Sequence, residues 1–150
     1  MKAGVNTYCF GPMLLDGEMG LAQVIQFIGR ETVAECFEVL ARFWDKGRDE
    51  AAQARDAKRV LESVGLEVSC YSLDSDFAVY DRAQRRACVD QCIRRLDTAL
   101  ILGTHVIRLD PRSSLPPGTS PQDVDVDDLM ARMAESAREI ADAAAAKGIT

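Results

Sequence analysis

Two charged side chains stand in apolar company. Glu38 interrupts the run Cys36, Phe37, Val39 and Leu40, and Arg108 lies between Ile107 and Leu109. A carboxylate inside such a run costs free energy unless it is paired or holds a ligand. Glu38 therefore has two readings: a polar residue that contacts substrate or supports a metal shell, or one half of an ion pair with Arg42 or Arg108. Arg108 also has two. Its planar fork suits a sugar hydroxyl, a carboxylate or a phosphate, and it could equally neutralise Glu38 or Asp110. Tyr8, Arg42 and Tyr71 complete the candidate substrate-binding set, with Asn6, Ser72, Asp74, Asp76 and Asp110 at equivalent chain positions. No residue is assigned a catalytic role.

The remaining chemistry-bearing residues carry less. Residues 74–76 are acidic but lack a glycine and a further carboxylate at calcium-ligand spacing, so they read as a solvated turn. His105 is the only histidine, which excludes a two-histidine zinc motif within the chain. It opens the expected fourth strand, at the end of the sheet away from the candidate site, and reads as structural. Cys88 and Cys92, four apart, have no partner ligand and read as buried small side chains. The chain contains no P-loop, no G-x-G-x-x-G and no G-x-S-x-G, which argues against common phosphate cradles and serine hydrolysis. No metal site is assigned.

The elements that must position these residues alternate. Strand-like runs are expected at 3–9, 34–40, 66–73 and 105–109. Between and after them lie apolar stripes at helical spacing: Leu21, Val24, Ile25, Ile28; then Ala54, Ala57, Leu61, Val64; then Val89, Ile93, Leu96, Leu100; then Leu129, Met133, Ile140, Ala144. Strands alternating with helices read as βαβ units and a parallel sheet. Gly65, Gly103 and Gly148 each follow a helix and precede a β-prone stretch, as left-handed C′ residues do. Asp81 is placed to cap the third long helix, and Asp125 or Asp127 the fourth. The proline-bearing segment 110–124 reads as irregular. The right-handed crossover rule then orders the strands 1-2-3-4 with the helices on one side. The fold class is α/β: a (β/α)4 half of a TIM barrel as one domain over residues 1–150, ending at the start of strand five, Gly148-Ile149-Thr150. An intact barrel takes about 250 residues. An open doubly wound sheet with strand one in the centre is the alternative.

Composition narrows the partners. A net charge of −6 argues against a general nucleic-acid binder and against anionic membrane surfaces. No apolar run reaches the roughly 20 residues that span a bilayer, and no signal-peptide core opens the chain. Five cysteines without framework spacing suggest a reducing, cytoplasmic setting.

Four motifs in register bring a family into view. Gly4-Val5-Asn6-Thr7-Tyr8-Cys9-Phe10 resembles the opening strand of sugar phosphate isomerase/epimerase proteins in the xylose-isomerase-like TIM-barrel superfamily. Phe37-Glu38-Val39-Leu40-Ala41-Arg42-Phe43-Trp44 is similar to the V-E-L-F signature ending their second strand. Residues 70–78 resemble their third strand and following loop, and Leu102-Gly103-Thr104-His105-Val106-Ile107-Arg108-Leu109-Asp110 their fourth. One departure is Arg30-Glu31-Thr32, where relatives end the first helix with glycine.

The resemblance implies a divalent metal for the full-length family, held mostly at the ends of strands five to eight, and none from this chain. In the parent, Glu38, Tyr8 and Arg108 would line a pocket for a sugar or sugar phosphate. Two functions stay open. One is an N-terminal half-barrel, inactive alone, that assembles into a dimeric barrel with itself or with a C-terminal half. The other is a fragment of an intact isomerase or epimerase with its metal ligands beyond residue 150, or of an endonuclease-IV-like relative. Two open edges and an inner sheet face expected to be apolar, including Val5, Phe37, Val68 and Ile107 or their pleat neighbours, predict that the chain is not a stable monomer and closes as a two-fold dimer, strand one of each copy pairing with strand four of the other.

Overall fold

A computed structural model describes residues 1–112 and 119–150. Four strands form one sheet in the order β1-β2-β3-β4: β1 Gly4–Asn6, β2 Cys36–Leu40, β3 Glu67–Asp76 and β4 Ile107–Arg112. Every neighbouring pair is parallel. The sheet is joined by α2 (Leu21–Glu31), α3 (Glu50–Ser63) and α4 (Arg82–Leu102), with a short α1 (Gly11–Leu15) ahead of them and α5 (Val126–Ala145) after β4. Consecutive right-handed crossovers between adjacent strands place these helices on one side. Successive long helices pack on one another in turn. A central first strand is excluded.

Local chemistry shifts three strand boundaries from those expected. β1 stops at Asn6 because its side chain accepts the Tyr8 N–H at 2.7 Å and turns the chain into a 3₁₀ turn, Thr7–Phe10. β3 runs on through Asp76, so residues 74–76 are strand and not a solvated turn: Asp74 pairs with Asp110, and its carboxylate takes the Arg42 guanidinium. β4 begins at Ile107 and continues through Pro111 to Arg112, where irregular chain was expected. Proline is tolerated there because β4 ends the sheet, and a missing N–H costs little on an open edge. Of that irregular segment, residues 113–118 lie outside the described residues.

The core lies between sheet and helices. Phe37, Val39, Tyr71 and Leu73 are fully buried against Val24, Ile25 and Ile28 of α2, Ala54 and Leu61 of α3, and Cys92, Leu96 and Ala99 of α4. This corrects the inner-face expectation. Phe37 is in the helix-side core, with Val5, Val68 and Ile107 packed against it. In a pleated strand the neighbours of a core-facing residue point to the opposite face. That opposite face therefore presents Asn6, Glu38, Ser72 and Arg108. The stripe of α4 also differs from expectation, running Val89, Cys92, Leu96 and Ala99, with Leu100 36% exposed.

Helix ends follow the sequence closely. Asp81 caps α4 by accepting the Gln84 N–H at 2.7 Å, and Asp125, not Asp127, caps α5 through the Asp128 N–H at 3.0 Å. Gly103 takes φ +84°, a backbone conformation that costs any residue with a Cβ more. At the far end, Gly148 is also left-handed and Ile149 is buried. Thr150 donates its N–H to the His105 carbonyl and accepts the Ile107 N–H, both at 2.8 Å, as a parallel neighbour beside β4 does.

Candidate functional site

The polar face of the sheet is built around Glu38. Three strands send donors to its carboxylate: Asn6 Nδ2 at 2.6 Å from β1, Ser72 Oγ from β3, and Arg108 Nη1 at 3.0 Å from β4. Register makes this possible, since Asn6 pairs with Glu38 and Ser72 with Arg108 in the sheet. Asn6 is oriented from its other end by the Tyr8 N–H. Thr7, fully buried, donates its hydroxyl to the Glu38 carbonyl and pins the turn after β1 to the middle of β2. No sequence signal marked Thr7, because a threonine after a strand is unremarkable until its neighbour strand is known.

A second set of charges continues from the first. Arg108 Nη2 lies 3.2 Å from Asp110 Oδ2; Arg42 Nη2 bonds Asp74 and lies 4.0 Å from Asp110. The Arg42 guanidinium also sits over the Tyr8 ring, 5.7 Å from its centroid. Asp74, Asp110 and Glu38 are thus each paired with a guanidinium. Of the alternatives open for Glu38, its ion-pair partner is Arg108 and not Arg42. The Glu38 side chain is 17% exposed and that of Arg108 45%, so the pair is partly solvated and contributes on the order of 0.2–1 kcal/mol. Beside it, Arg42 and Asp74 also line an open cleft of 690 Å³ that runs under Trp44 toward Glu50 and Arg95.

Tyr8, Glu38, Arg42 and Arg108 are brought together on the polar face of the sheet, with Tyr8 and Arg42 just past the C-terminal ends of β1 and β2. Tyr71 is not. Its side chain points to the helix side, 0% exposed, where the hydroxyl accepts Trp44 Nε1–H at 2.7 Å and donates to Glu50 Oε1 at 2.8 Å. Arg95 Nε and the Thr98 hydroxyl hold the same carboxylate at 3.0 and 3.1 Å. Burial, then the nearby Glu50 charge, pushes the Tyr71 phenol far above its usual range. Tyr71 belongs to a buried polar brace that sequence reasoning missed, since its partners lie 21–48 residues apart in the chain. His105 stands at the opposite end of the sheet, its Nδ1 3.1 Å from the Gly148 carbonyl.

A parallel sheet presenting polar side chains at its C-terminal ends is the arrangement of a (β/α) barrel mouth. Among the described residues no group of three His, Cys, Asp or Glu could hold a metal ion. No helix among them is long and apolar enough to cross a membrane.

The same fold occurs in solved structures of low sequence identity. A D-psicose 3-epimerase determined in the presence of D-fructose superposes with a TM-score of 0.73 at 20% identity, covering 100% of this chain and 50% of the other. D-Psicose 3-epimerase from Clostridium cellulolyticum H10, with D-tagatose, gives 0.73 at 18%, covering 99% and 50%. The 3-keto-D-glucoside 4-epimerase of E. coli gives 0.65 at 20%, covering 100% and 54%. The chain spans about half the length of each. Curated protein sequences yield no match. With the four-stranded parallel sheet as half of a TIM barrel, and the xylose isomerase-like TIM barrel model matching residues 25–150, the chain belongs to that family.

Proposed function

We propose that this chain forms one half of the ligand-binding mouth of a sugar isomerase or epimerase barrel, completed by a second copy or by a C-terminal half-barrel. The observation that carries this reading is the convergence of donors from β1, β3 and β4 on one β2 carboxylate, at the sheet end where barrel ligands bind. A carboxylate offers about four acceptor sites, and three are filled at Glu38. Its task is to hold Arg108, not to carry a proton. The outward N–H groups of Arg108 donate to sugar hydroxyls, and Tyr8 stacked with Arg42 forms the rim. Alone the chain is inactive, and proton transfer at carbon falls to the other half.

Ketoses are the favoured substrate class, because two of the structural neighbours are D-psicose epimerases. The divalent metal common in this family does not fit the residues present: the mouth carboxylates Glu38, Asp74 and Asp110 are all committed to guanidinium groups. No step is assigned to it. Five free thiols favour the cytoplasm.

Assembly and binding are tested together. Sedimentation equilibrium at micromolar concentration should give a two-fold dimer, β1 of each copy facing β4 of the other. Titration with D-fructose should shift the amide resonances of Glu38, Ser72 and Arg108, and Glu38→Ala should abolish those shifts. A compact monomer overturns the dimeric closure. Absence of sugar-induced shifts in the assembled protein overturns the mouth assignment.

A further inference from the structure

The two helices at the ends of the layer differ from the inner ones in what they leave uncovered. α2 packs on α3, and α5 packs on α4. Among the described residues, the exposed large apolar side chains of the four long helices are Phe27 on α2, Val126 and Met130 on α5, and Leu100 on α4, the least exposed of them. Rotation about each axis, at about 100° per residue, tells which flank they occupy. On α5, Glu139 pairs with Arg86 of α4, while Ile140 and Ala144 are buried in the core. Met130, Ala134 and Ala141 are exposed and lie roughly opposite Glu139, on the flank that α4 does not reach. On α2, Gly29 makes the close approach to Val64 at the end of α3. Phe27, two residues earlier, is turned about 160° from it, to the opposite flank.

These two flanks match in size and in charge. Phe27 is bulky and 46% exposed, braced from one side by the Phe10 ring at 6.0 Å, whereas the flank of α5 offers alanine along most of its length. Each helix stops five positions before the chain rejoins the sheet, α2 at Glu31 for Cys36 and α5 at Ala145 for Thr150. Counted back from those ends, Phe27 and Ala141 stand level, each four positions from its helix end. Arg30 and Asp142 differ by two positions, about 3 Å of helix rise, which a guanidinium spans easily. Both are exposed, and neither side chain has a partner among the described residues.

We propose that the two flanks are the two sides of one interface between copies of this chain: α2 of each copy docks on α5 of the other, with Phe27 seated on Ala141 and Arg30 paired with Asp142. The inference rests on the barrel-closing dimer proposed above and names a second copy, not another half-barrel, as the partner that completes the helix layer. A large side chain opposite a small one lets the helix axes come within the roughly 8–10 Å of ordinary helix packing. Two-fold symmetry repeats the seam on the other side of the barrel, so each substitution acts twice.

The test is the dimer dissociation constant of the full chain and its variants, from sedimentation across a concentration series, with circular dichroism to show that each variant is folded. All four positions are exposed, so the substitutions leave the core intact. Ala141→Trp and Phe27→Ala should each weaken the dimer at least tenfold, and Phe27→Ala combined with Ala141→Phe should recover most of the loss. Arg30→Asp should weaken it at least threefold at low salt, and adding Asp142→Arg should restore it. A wild-type dimer left unchanged by Ala141→Trp overturns the helix seam while closure through the sheet edges still stands. So do charge-reversed single variants that fail to recover when combined. A monomeric wild-type chain overturns both the seam and the dimeric closure.

Discussion

Removing a single oxygen atom in Tyr71→Phe distinguishes a brace in the core from a residue of the mouth. The hydroxyl accepts Trp44 Nε1–H at 2.7 Å and donates to Glu50 Oε1 at 2.8 Å. Without it, the indole N–H of a residue only 7% exposed has no acceptor, a loss of about 1–3 kcal/mol. Glu50 suffers less. It keeps Arg95 and Thr98, and its side chain is 28% exposed, so water replaces the lost donor at a net cost of roughly 0.5–1 kcal/mol. The phenyl ring fills the same space, so no cavity term adds. The expected destabilisation is about 2–3 kcal/mol, or a fall in Tm of roughly 5–10 °C for a domain of this size. Urea unfolding followed by the fluorescence of Trp44, the only tryptophan, measures it directly. The midpoint should fall with the m value unchanged, while Tyr8→Phe on the 65% exposed ring stays within about 0.5 kcal/mol of wild type. A Tyr71→Phe variant as stable as wild type would refute the brace. Loss of the D-fructose-induced amide shifts in a variant of unchanged stability would return Tyr71 to the mouth.

Two further outcomes test the packing and the caps. A Cβ on Gly29 would lie 2.6 Å from Val64 Cβ and Cγ2, so Gly29→Ala should destabilise by about 1–2 kcal/mol despite the better helix propensity of alanine, and Val64→Ala should recover part of the loss; a stabilised Gly29→Ala would show that α2 and α3 are not so close. Asp81→Ala removes the acceptor of the Gln84 N–H and should cost about 1 kcal/mol by the same urea assay, and an unchanged midpoint would mean that water caps α4 equally well.

Glycine and aspartate punctuation, with apolar residues at helical spacing, determined from sequence alone that strands and helices alternate and in which order they pair. These signals are local: a left-handed residue after a helix needs glycine whatever surrounds it, as Gly65, Gly103 and Gly148 illustrate with φ of +74°, +84° and +69°. Handedness then leaves few ways to arrange four βα units. Glu38 and Arg108 were also legible as charges that need partners, because a charge in an apolar strand demands one; that they partner each other, and not Arg42 for Glu38, took the structure.

The face each strand presents was decided by the tertiary structure. In 36–40 and 107–109 a charged residue alternates with apolar ones, but alternation alone does not say which of the two faces the helices cover. An irregularity in the pairing of β2 with β3 at Phe37 and Glu38 then shifts the register by one residue. A shift of one exchanges the two faces of a strand. Beyond that irregularity Ser72 meets Glu38 at the mouth, and Tyr71 turns to Trp44 and Glu50 in the core. The same long-range pairing extends β3 to Asp76, because charged residues stay in a strand when a guanidinium such as that of Arg42 and a neighbouring strand both receive them.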